Sequence, residues 1–209
     1  KVTAIDIPDS NHSDARIWEI LDFDGKNIPA TDNSFDIVYS SNVLEHVLDL
    51  DALNQDIHRV LKTNGHAIHY VPTGSWRSAS LIAFYPSLIR EVIRRIFNKT
   101  QNQNNKTSNS HKKTDSRKSF LKKALFRIFP HAHGTRGSAL NETVLFKKLR
   151  WEKLFKSYNW EILFYTKNKL FLTGEMILGH YAPVKTRSRL SNILGSSAHL
   201  YVLKPSKNR

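Results

Sequence analysis

Three apolar runs near the start of the chain each end on an acid or a polar turn. KVTAIDI (1–7) reaches Asp6 before Pro8, and IWEILDF (17–23) closes on Asp22 and Asp24 with a following Gly. FDIVYSS (35–41) passes directly into NVLEHV. Nearly continuous apolar residues predict strands, and the third run reads as one covered on both faces and leading straight into a helix. Pro8 and the Asp24-Gly25 pair stop the first two. In LDALNQDIHRVLK, residues Leu50, Leu53, Ile57, Val60 and Leu61 recur at helical spacing, and Gly65 in TNG is the predicted C-cap. HAIHYVP is a fourth strand. NETVLFKKLRWEKLFKSY predicts one helix with an apolar face of Val144, Leu145, Leu149 and Leu154. WEILFYT and HLYVLKP complete six strands, at 1–7, 17–23, 36–40, 66–71, 160–166 and 199–203. Strands alternating with helices predict an α/β domain with a doubly wound, mostly parallel sheet.

Between 79 and 130 the pattern changes. SLIAFYPSLIREVIRRIFNK is amphipathic and basic, with Pro86 expected to break or kink it. TQNQNNKTSNSHKKTDSRKS is polar, cationic and aperiodic, the signature of disorder, and FLKKALFRIFP is a second short basic amphipathic piece.

Composition narrows the partners. The formal net charge of the 209 residues is +14, with a pI near 10, and the excess Lys and Arg lies from Arg90 onward. This balance favours an anionic partner: nucleic acid, an acidic membrane surface or a phosphorylated substrate. The basic tract lacks interleaved aromatics for base stacking, which makes nucleic acid the weaker choice. There is no cysteine, which removes disulfides and thiolate metal sites. No transmembrane run and no signal peptide are visible, so a cytoplasmic protein is expected, with peripheral contact to an anionic membrane possible through the basic pieces. The chain opens on Lys1 rather than Met, inside a core-strand pattern. A fragment or processed chain is therefore expected.

The stretch DGKNIPATDNSFDIVYSSNVLEHV, followed by DIHRVLKTNGHAIHYVPT, resembles the class I, Rossmann-like S-adenosylmethionine-dependent methyltransferases of small-molecule type. The resemblance covers roughly residues 1–75 and implies S-adenosylmethionine as cofactor. It also implies a division into a cofactor-side half (1–78), a basic and low-complexity insertion (79–130) and the C-terminal part of the same domain (131–209). Asp6 would accept both ribose hydroxyls, because one carboxylate accepts two hydrogen bonds at once. Asp22 or Asp24 would take the adenine amino group, and Ser41 and Asn42 would lie on the adenosine side. The family's first strand and its glycine-rich loop have no counterpart in the chain, so an incomplete cofactor site is expected.

Methyl transfer from a sulfonium needs alignment and a dry pocket, and a base if the acceptor is a hydroxyl. Glu45 and His46 are the candidates nearest the cofactor edge. As neighbours on a helix they would diverge and make a poor metal pair. Some relatives bind a divalent metal through a further Glu three residues earlier. Here Asn42 stands in that place, so no metal is expected. The loop PHAHGTRG adds His133 as a base and Arg136 as an anion holder. The expected acceptor is a small molecule or a glycan or lipid-linked sugar precursor. A nucleic-acid methyltransferase or binder, or a noncatalytic remnant, is the alternative.

Overall fold

The computed structural model describes residues 2–8, 17–103, 130–173 and 182–206. All six expected strands are present: β1 (Ala4–Asp6), β2 (Ile20–Asp22), β3 (Phe35–Ser41), β4 (Leu61–Pro72), β5 (Trp160–Lys167) and β6 (Ala198–Pro205). They form two sheets. β1 and β2 pair in parallel, while β3, β4, β6 and β5 form a four-stranded sheet in that order. Within the larger sheet β3 and β4 are parallel, and β6 runs antiparallel to both β4 and β5. The sheet is therefore mixed.

Helix α1 (Leu50–Val60) begins at Asp49, whose side chain accepts from the Ala52 amide at 3.0 Å. It buries Leu50, Leu53, Ile57 and Val60 against β4, so the helical spacing translates directly into a core face. Arg59 on its last turn reaches back to the loop between β2 and β3. It donates to the Ala30 carbonyl at 2.7 Å and the Ile28 carbonyl at 3.0 Å, and pairs with Asp56 and Asp32. This guanidinium fixes the entry into β3.

The helix ends at Val60, not at the expected Gly65 cap. Leu61 is already extended, with φ −74° and ψ 136°, and β4 starts there with an irregular register against Phe35 and Ile37. Gly65 serves a different need at that bulge. A Cβ on it would lie 3.0 Å from the Lys62 carbonyl oxygen and 3.1 Å from that of Phe35.

Helix α2 spans Gly74–Gln103 and continues through Pro86, so the proline does not break it. The single helix expected after residue 141 is two: α3 (Glu142–Leu145) and α4 (Lys148–Ser157). The core side chains there are Phe146, Trp151 and Phe155, whereas Val144 is 44% and Leu149 69% exposed. The large aromatics win the buried face because they remove the most apolar area from water. A further helix, α5 (Val184–Leu194), was not expected from the sequence.

The larger sheet buries Ala67, His69, Val71, Tyr201 and Leu203 against α1 and α4. β3 departs from the expectation of a strand covered on both faces. Ile37 and Tyr39 are 57% and 61% exposed, and the edge of β3 away from β4 pairs with no described strand. The low-complexity tract from residue 104 and the second basic piece through residue 129 lie outside the described residues.

Candidate functional site

Asp6 and Asp22 are register partners at the carboxyl ends of β1 and β2. Asp6 is half-buried, and one of its carboxylate oxygens accepts from the Ile7 amide at 2.8 Å. Asp24 sits one turn further on and is spent on that turn. It accepts from the amides of Lys26 (2.8 Å) and Asn27 (2.6 Å) and from the Asn27 side chain (2.6 Å). These hydrogen bonds, led by the Asn27 amide, hold its carboxyl below the usual range. Gly25 supplies the positive φ of 86° that the turn requires. Ser41 and Asn42 stand at the carboxyl end of β3. Ser41 pairs with Tyr70, and Asn42 adopts φ 51° while its amide donates to the Tyr70 carbonyl at 2.8 Å. Beneath them the Ser40 hydroxyl meets His69 Nδ1 at 2.7 Å, and complete burial lowers the His69 pKa to about 4.

The segment after Asn42 is a turn and not the start of a helix. The His46 amide donates to the Val43 carbonyl at 2.9 Å, and α1 begins only at Leu50. In a turn, consecutive side chains are not splayed by the 100° rotation of a helix. Glu45 and His46 accordingly face one place, and His133 joins them from 88 residues away. Glu45 Oε1 lies 3.9 Å from His46 Nε2 and 3.7 Å from His133 Nε2. The two imidazoles meet edge to face, with centroids 4.8 Å apart, and Trp76 packs on His133 in the same manner at 4.7 Å. The Glu45 side chain is wholly buried, and neither of its oxygens has a hydrogen-bond partner.

The loop that delivers His133 is held from below by a buried ion pair absent from the sequence-based candidates. Glu142 accepts from the backbone amides of His133 (2.9 Å) and Gly134 (2.6 Å) and pairs with Arg77 Nε at 2.7 Å. Arg77 also donates to the carbonyls of His131 and Ala139. From above, the Thr135 amide donates to the Glu45 carbonyl at 3.0 Å. Gly134 is required by this approach, since a Cβ there would come within 2.4 Å of that same carbonyl oxygen. Arg136, the expected anion holder, donates to the Val47 carbonyl at 3.2 Å. It also borders a cavity of about 370 Å³ beside Glu45, whose lining includes Phe146, Arg150, Trp151 and Lys153. Arg77 and Glu142 gave no sequence signal: each reads as an ordinary helix-end charge until the fold joins them.

Residues 1–69 match the family model described as a methyltransferase domain. This segment is about a third of the chain. The match contains Asp6, Asp22, Asp24, Ser41, Asn42, Glu45 and His46, whereas His133 lies beyond it. No curated protein matches the chain. Among solved structures it is similar to a putative methyltransferase of Haloferax volcanii in complex with the Trm112 methyltransferase activator. The identity there is 10% and the TM-score 0.47, covering 91% of this chain and 62% of that one. It is also similar to a SAM-dependent methyltransferase from Aquifex aeolicus, at 10% identity and TM-score 0.46 over 97% and 68% of the two chains. The [4+2]-cyclase SpnF gives 13% and 0.42 over 90% and 56%. The chain thus spans less than two thirds of the first and third of these structures, and overlaps this low carry no argument about the site of the methyltransferase domain.

Proposed function

We propose that the protein transfers a methyl group from S-adenosylmethionine to a small molecule or to a glycan or lipid-linked sugar precursor. The observation that carries this reading is the in-register pair Asp6 and Asp22 at two parallel strand ends, inside the matched methyltransferase segment. Half-buried Asp6 fits the ribose diol, and Asp22 or Asp24 fits the adenine amino group. Ser41 and Asn42 supply the polar wall on the adenosine side. When bound, the cofactor supplies an electrophilic methyl group on a sulfonium.

The chain's own contribution is alignment and proton handling. His133, held by Glu142 and partly exposed, accepts a proton from an acceptor hydroxyl. Buried Glu45 beneath it stabilises the resulting imidazolium, with His46 as the second polar wall. The Arg136, Arg150 and Lys153 rim of the neighbouring cavity suits an acceptor bearing a negative group, such as a sugar phosphate. Among the described residues no helix is long and apolar enough to cross a membrane. Contact with an anionic membrane would therefore be peripheral, through the basic pieces, and the insertion reading of 79–130 goes with this role.

The split sheet favours a second reading. In a doubly wound sheet the first strand lies between the second and fourth, which is where β1–β2 and β3 are not hydrogen-bonded to each other. That reading is a noncatalytic methyltransferase-like remnant. The full-length protein incubated with labelled S-adenosylmethionine and phosphorylated sugar acceptors separates the two. Label transfer that is lost in Asp6→Ala supports the enzyme. Failure to bind the cofactor at all supports the remnant.

A further inference from the structure

A wholly buried carboxylate with no hydrogen-bond donor on either oxygen is costly in its charged form unless a cation lies against it. Glu45 is such a group. Facing it within 4 Å are the Nε2 atoms of His46 and His133, each of which presents a lone pair in the Nδ1–H tautomer. The three donor atoms of Glu45, His46 and His133 all lie within 4.8 Å of one another. We infer that these residues form a binding site for a first-row divalent transition ion such as Zn²⁺.

The donor set selects the class of ion. Two imidazoles and one carboxylate suit zinc and its borderline neighbours, while magnesium and calcium prefer all-oxygen shells. Zinc–ligand bonds of about 2.0–2.1 Å require tetrahedral donors roughly 3.4 Å apart. The two Glu–His separations, 3.7 and 3.9 Å, approach this value, and all three donors lie within 4.8 Å of one another. The Arg77–Glu142 clamp and the Gly134 approach fix the loop that brings the third ligand, as a metal centre's outer shell does. Both histidines are partly exposed, so the remaining coordination position opens to solvent, the arrangement of a reactive rather than a closed structural centre. A site of this kind does not need a Glu at position 42. With an ion bound, the histidines act as ligands in place of the proton-accepting role given to His133 above. The binding site itself stands independently of methyl transfer.

The test is isothermal titration of metal-stripped full-length protein with ZnCl₂ at neutral pH, paired with the visible ligand-field spectrum of the Co²⁺ form. One ion per chain is expected. Outer-shell substitutions at metal centres typically weaken binding by about 10–100-fold, so loss of a ligand in Glu45→Gln or His133→Ala should cost about 100-fold or more. His131→Ala, in the same loop but outside the cluster, should bind normally. Circular dichroism melts identify any variant that fails to fold, and exposed His133→Ala is the safeguard if Glu45→Gln does. No stoichiometric binding, or binding undiminished in both ligand variants, would overturn the site and assign any uptake to the other histidines.

Discussion

The acids at the strand ends and the Glu45 cluster are built in opposite ways. Asp24 finishes its hydrogen bonds within three residues, and Asp6 leans on the next amide. Glu45 depends on a loop some 90 residues away, and that loop depends on Glu142 and Arg77. A local site survives damage to the rest of the fold, whereas an assembled one fails with any of its supports.

The largest expected effect therefore lies in the clamp. Glu142→Ala leaves the buried Arg77 guanidinium unpaired and should destabilise the protein by about 3–5 kcal/mol in denaturant unfolding. A loss under about 1 kcal/mol would show that the loop is not held by this pair.

Acid should act next. Burial keeps His69 neutral in the folded state down to about pH 4, while the unfolded chain protonates it near 6.5. Between those values the unfolded state binds the extra proton, so stability falls as pH drops, by roughly 3 kcal/mol for a shift of this size. His199, also lowered to about 4, adds in the same direction. Chemical denaturation at pH 7 and at pH 4.5 measures the slope, and His69→Gln should reduce it.

Gly134→Ala should cost about 1–3 kcal/mol through forced displacement at the Glu45 carbonyl, as for an overpacked site. Asp24→Ala should have the smallest effect, a slight fall in Tm above pH 4 that vanishes once the carboxyl is protonated. Reversal of the order of the last two would erase the contrast between assembled and local sites.

The same contrast explains what the sequence revealed. The strands, α1 and the acids at the strand ends follow from local period and turn chemistry, and all six strands were expected near their observed positions. Gly65, the 43–46 turn and the division between α3 and α4 were misread because tertiary packing decides them. At Gly65 the deciding contact is with Phe35, and at α4 it is the burial of Trp151 and Phe155. No local pattern joins Arg77 to Glu142 or Glu45 to His133, since contacts across 65 and 88 residues leave no periodic trace.

The account rests most directly on Asp6 as a cofactor ligand. Calorimetric titration of S-adenosylmethionine into the full-length protein and its Asp6→Ala variant measures this role. The account predicts affinity weakened by about 1.5–3 kcal/mol in the variant, as for lost hydrogen bonds to a charged group. Equal affinity in the two proteins would contradict it and leave Asp6 a turn residue.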